Sequence, residues 1–164
     1  MDIRKIYQYA LQREHEGQRF FQQNAERLQH AGAAGAFRRL AEEERKHIDF
    51  IEGLISALDE GDGESSGSLA TDLEKEGFFS ERAASEMLDQ TVIESMVPDL
   101  SVLRMAYLIE RDFAEFYETA AGQAEGEAQE ALKMLARWER GHERFFKQLH
   151  DSAFEVYAEM PWGG

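Results

Sequence analysis

The chain has no cysteine and only two prolines among its 164 residues. The first absence excludes disulfides, zinc fingers, iron–sulfur clusters and thiol chemistry within the chain. The second leaves long stretches free to be helical, because proline interrupts the backbone hydrogen-bond ladder. Basic residues are scarce too: 18 Lys and Arg against 33 Asp and Glu give a net charge of −15. A nucleic-acid partner needs a basic face, and the pattern contains none. No run approaches the apolar length of a membrane span, and the opening Met1-Asp2-Ile3-Arg4-Lys5 does not resemble a signal peptide. The expected location is the cytoplasm. Strand-type alternation is missing as well, so the expectation is one all-α domain long enough to bury a core.

Against this background one pattern stands out, Glu-x-x-His. It occurs as Glu44-Arg45-Lys46-His47 and as Glu139-Arg140-Gly141-His142, 95 residues apart. Both copies fall where a helix bundle normally carries leucine. The first seam reads Phe37, Leu40, Glu44, His47, Ile51, Leu54, Leu58; the second reads Leu132, Leu135, Glu139, His142, Phe146, Leu149. Steps of three and four place each set on one face of a helix. Two further segments repeat at an offset of 96, and each carries a single seam carboxylate: Glu14 among Tyr7, Ala10, Gly17 and Phe21, and Glu110 among Leu103, Ala106, Phe113 and Tyr117. The chain therefore reads as a duplicated helical hairpin, each half with one Glu and one Glu-x-x-His.

Asp2 is a good N-cap for a first helix over about 2–30. The glycines from Gly32 to Gly35 suggest a short turn, with a second helix over about 34–58. The stretch 59–68, DEGDGESSGS, reads as a linker. The crossover over 59–99 is expected to contain a short helical piece near 69–76 and a further helix capped by Ser80. After the Pro98-Asp99 break, a third helix covers about 100–124 and a fourth about 127–157, ended by Pro161. This is a four-helix bundle with one long crossover.

Four seam glutamates and two seam histidines would then point into the core. An unpaired buried carboxylate carries an effective penalty of several kcal/mol or takes up a proton. A fold with a net stability of about 5–15 kcal/mol does not absorb four such terms. No lysine or arginine lies on the seams. Two divalent cations would balance four carboxylates, and a carboxylate–imidazole donor set without sulfur favours iron, with manganese as the second choice. One Glu from each of two helices, with Glu-x-x-His from the other two, is the ligand rule of ferritin-like dinuclear proteins.

On these motifs the chain resembles the ferritin-like superfamily, and within it the rubrerythrin-type proteins. The resemblance covers the four helices. It implies that Glu14 and Glu110 are terminal ligands, that Glu44 and Glu139 bridge two irons, and that His47 and His142 bind one each. Rubrerythrins carry a further glutamate three residues after the third-helix ligand, where this chain has Phe113. They also usually carry a cysteine-rich rubredoxin-like domain, absent here. The electrons would therefore come from a separate donor protein. The activity implied is that of a di-iron oxidoreductase, with reduced iron reacting with hydrogen peroxide or O₂. A ferroxidase or iron-handling protein, a small-molecule oxygenase, and a metal-stabilised interaction module are the alternatives.

Around the six residues, Tyr117 lies two turns beyond Glu110 and reads either as a catalytic neighbour bonded to a ligand or as a core aromatic. Gly17, one turn after Glu14, reads either as space for O₂ or peroxide or as close packing. Tyr7 and Tyr107 are weaker neighbours. Trp138, Phe145 and Phe146 read as packing residues, and His15, His30 and His150 as surface histidines. Arg38, Arg39, Glu42 and Glu43 read as a solvated face. The apolar tail over 154–162, with Phe78 and Phe79, suggests a homodimer contact or packing on its own bundle.

Overall fold

The computed structural model describes residues 2–61 and 96–161. Four long helices carry almost all of it: α1 (Ile3–Ala25), α2 (Ala31–Glu60), α3 (Leu100–Gln123) and α4 (Gly126–Glu159), with a 3₁₀ turn at Val97–Asp99 before α3. Among the described residues there is no strand, and the architecture is the all-α ferritin-like four-helix bundle. No described helix is long and apolar enough to cross a membrane. The expected helices within the crossover, and Phe78, Phe79 and Trp162, lie outside the described residues.

Helix ends follow local chemistry. Asp2 caps α1 by accepting from the Lys5 amide. At the other end α1 stops at Ala25, short of the expected residue 30, and the Asn24 side chain donates to the Phe20 carbonyl at 2.9 Å. His30 is the reason the next helix starts early. Its Nδ1 accepts from the Ala33 amide at 3.1 Å, so it serves as the N-cap of α2. Gly32 and Gly35 consequently lie inside α2 rather than forming the turn. At the far end, Gly61 closes α2 at φ +70°, a left-handed conformation that suits glycine.

Asp99 ties the turn between α1 and α2 to the second hairpin. Its buried carboxylate accepts from the amides of Gln29 at 3.1 Å and His30 at 3.2 Å. The turn between α3 and α4 is closed from within: the Gln129 amide donates to the carbonyls of Ala121 and Ala124 at 3.1 and 2.9 Å.

α1 packs along α2 and α3 along α4, with α1 also against α3. The core falls into two apolar halves. One is built around Phe21, Phe37, Leu40, Leu103, Phe146 and Leu149. The other is built around Tyr7, Ile51, Phe113, Tyr117, Leu132 and Leu135. Between them, halfway along the bundle, lie the six ionisable seam residues.

Candidate metal centre

All six seam residues converge. Glu14 comes from α1, Glu44 and His47 from α2, Glu110 from α3, and Glu139 and His142 from α4. The four glutamates are fully buried, and the histidines are exposed by no more than 5%. Potential ligand atoms form two groups, each within 4.8 Å: Glu14, Glu44, His47 and Glu139, and then Glu44, Glu110, Glu139 and His142. Glu44 and Glu139 belong to both. The duplication seen in the sequence thus becomes two overlapping four-residue groups with three carboxylates and one imidazole apiece.

Both histidines turn Nδ1 inward. His47 Nδ1 lies 2.9 Å from Glu139 Oε1, 3.3 Å from Glu14 Oε2 and 3.8 Å from Glu44 Oε2. His142 Nδ1 lies 3.4 Å from both Glu110 Oε2 and Glu139 Oε2, and 3.7 Å from Glu44 Oε1. Of these approaches, His47 Nδ1 with Glu14 Oε2 is aligned as a hydrogen bond; both oxygens of Glu44, Glu110 and Glu139, together with His142 Nδ1, remain buried without a hydrogen-bond partner. Buried polar atoms are almost always partnered, so this many unpartnered donor atoms aimed at one place fit a cation site.

The electrostatics of the bare protein say the same. Burial, and then the neighbouring carboxylates Glu139, Glu14 and Glu110, push Glu44 well above the ordinary range. Glu110 is also raised, by burial and by Glu139. Burial pulls His47 down, but Glu139 and Glu14 outweigh it and raise the imidazole to about 10. His142 is raised against its burial by Glu110, Glu139 and Glu43. Glu139 alone is depressed, because His47 and His142 overcome its burial. The raised carboxyls and imidazoles draw protons into the cluster, where divalent cations would be drawn for the same reason.

The rubrerythrin family model matches residues 5–150. The chain belongs to the rubrerythrin family. Comparison with curated proteins and with solved structures gives no match. A rubrerythrin-family domain enclosing a buried carboxylate–imidazole cluster points to metal binding, typically of iron.

Contacts between helices decide between the sequence readings for Tyr117 and Gly17 around this rubrerythrin-family centre, and add roles for Glu43 and Trp138. Tyr117 is buried and its hydroxyl donates to Glu14 Oε1, so it touches the cluster rather than only filling the core. Gly17 leaves no open space: a Cβ there would meet Phe113 Cε2 at 2.9 Å and Cζ at 3.2 Å. The Phe113 ring, standing where rubrerythrins carry the further glutamate, fills that gap. Glu43 is not part of a solvated face, since its Oε2 lies 2.9 Å from His142 Nε2. Trp138 packs, as expected, but against the cluster: its indole stacks on His47 with ring centroids 4.9 Å apart. Both positions sit one residue off the seam, and that offset is the signal that could have found them. His15 is exposed. His150 stands away from the cluster, stacked with Phe154.

Proposed function

We propose that this rubrerythrin-family chain is a di-iron oxidoreductase whose reduced centre reacts with hydrogen peroxide or O₂. The observation carrying the proposal is the pair of overlapping groups that share Glu44 and Glu139. In this reading Glu14, His47, Glu110 and His142 would each serve one iron, and Glu44 and Glu139, common to both groups, would serve both. Bound there, reduced iron would supply two electrons, enough with two protons to cleave hydrogen peroxide to water or to reduce O₂ to peroxide.

The chain's own residues define the surroundings. Phe21, Phe37, Leu40 and Phe146 on one side, with Ile51, Phe113 and Leu135 on the other, keep bulk water from the centre. Tyr117 keeps its proton, being raised well above 10 by burial and by Glu14, and holds Glu14 by hydrogen bonding. Glu43 orients His142 from outside. A separate donor protein returns the electrons. The working form is taken to be a cytoplasmic homodimer, with exposed Phe154, Tyr157 and Met160 near the end of α4 as a contact surface.

The test begins with anaerobic iron loading and elemental analysis of the wild type and Glu44→Ala. Two irons per wild-type chain, lost in the variant, support the centre. Stopped-flow reoxidation then compares peroxide with O₂, and a much faster peroxide reaction marks a peroxidase. Uptake of many irons per chain would point to iron handling instead. No bound iron, with an unchanged melting temperature, would sink the proposal.

A further inference from the structure

Positions 43 and 138 are equivalent in the repeat, each one residue before the glutamate of its Glu-x-x-His. Each serves the histidine of the other half. From α2, Glu43 accepts the hydrogen of His142 Nε2 at 2.9 Å. From α4, Trp138 lays its indole on His47, the ring planes 12° apart. The two groups they flank have the same composition, three glutamates and one histidine. The departure from two-fold symmetry at 43 and 138 is a chemical one.

A ring N–H lies in the plane of its imidazole. An indole parallel to that plane offers it no acceptor, whereas the Glu43 carboxylate does. Once the ring gives up a proton to a metal, the bond to Glu43 keeps the remaining hydrogen on Nε2, so that the Nδ1 lone pair faces Glu44, Glu110 and Glu139. It also makes that nitrogen a stronger donor to a metal, as outer carboxylates do for ligand histidines generally. Glu43 adds its own negative charge beside this group, with its side chain only 16% exposed and therefore weakly screened. Arg39, 3.9 Å away, steadies it on the solvent side.

We infer that the two metal positions are unequal: the group containing His142 fills first and holds its ion more tightly than the group containing His47, with Glu43 as the positioning residue. The inference rests on the dinuclear reading above. It concerns the order and strength of filling, so it can fail while that reading stands.

Full-length protein stripped by chelation would be titrated anaerobically with Co(II), a stand-in for ferrous iron, by calorimetry and visible absorption. Two ions per chain should enter in two steps. Repulsion between two cations separates the steps in any such site, so the decision lies in which variant loses which step. Glu43→Gln keeps size and removes charge; it should weaken the first step about 10–100-fold and leave the total at two. His47→Ala should keep the tight step, and His142→Ala only the weak one. Trp138→Phe, which preserves a stacked ring, should leave the order of filling unchanged. A Glu43→Gln protein with an unaltered first step, or a His47→Ala protein lacking the tight step, overturns the inference. Fewer than two ions in the wild type would overturn the dinuclear reading with it.

Discussion

The Tyr117 hydroxyl donates to Glu14 Oε1, joining α3 to α1 beside the cluster. Glu14 is fully buried, so its oxygens depend on partners inside the protein. Tyr117→Phe removes the donor and leaves Glu14 Oε1 without it, at a cost of about 1–3 kcal/mol. The variant should unfold at lower urea concentration than the wild type when metal-free. When loaded, it should still retain two ions per chain, because Tyr117 supplies no ligand. A variant unchanged in urea would show that the hydroxyl contributes nothing to holding Glu14.

The Gly17–Phe113 contact gives a second prediction. Gly→Ala within a helix ordinarily gains about 1 kcal/mol. Here the new methyl would stand 2.9 Å from a buried Phe113 ring carbon, and overpacking of that kind costs about 1–3 kcal/mol. Gly17→Ala should therefore be net destabilising, whereas Gly17→Ala with Phe113→Leu should recover most of the loss. The readout is a double-mutant cycle by chemical denaturation. Additive effects would mean that the ring moves aside freely.

Much of the centre could be read from sequence because its six residues violate an otherwise apolar pattern in duplicate. Glu14, Glu44, Glu110 and Glu139 stand where leucine belongs, and periodicity assigns them all to inward faces. The readings that failed depend on what one helix presents to another. Glu43 lies next to a seam position and carries a charge, so on α2 alone it looks solvated. Its partner His142 is 99 residues away. Gly17 read equally as space or as close packing because its own helix shows no neighbour there, and the ring that decides for packing comes from α3. The early start of α2 turned on His30 acting as an N-cap, a role usually taken by Ser, Thr, Asp or Asn.

Asp99 predicts a purely structural effect. Its two buried oxygens serve the amides of Gln29 and His30 in partly buried bonds. Asp99→Ala removes the acceptor of both donors, and each lost bond carries about 0.5–1.5 kcal/mol. Asp99→Asn keeps one acceptor and should be intermediate. Thermal melts should rank wild type above Asn above Ala, with metal content per folded chain unchanged in all three. A loss of metal with no loss of stability would show that this tie acts on the centre itself.

Protonation predicts opposite pH responses for the metal-free and loaded protein. In the metal-free fold His47 is raised from 6.5 to about 10, Glu139 and Glu14 outweighing its burial, and His142 is also raised, Glu110, Glu139 and Glu43 outweighing its burial. A raised base stabilises fully below its unfolded pKa, and that stabilisation is lost as pH climbs through the folded one. Glu44 and Glu110 act in the same direction: above 4.5 the unfolded chain ionises them while burial keeps the folded ones protonated. Glu139 runs the other way, because its depressed value gives stability above 4.5 that disappears as pH falls. Metal-free protein should therefore be most stable on the mildly acid side and lose stability as pH rises from about 6 to about 10. Bound metal competes with the same protons, so loaded protein should gain stability as pH rises from about 5 to about 7. Melting temperatures of chelated and Mn(II)-loaded samples across this range would test both slopes. A metal-free melting temperature that climbs above about pH 6 would mean that protons do not replace the cations in the bare cluster.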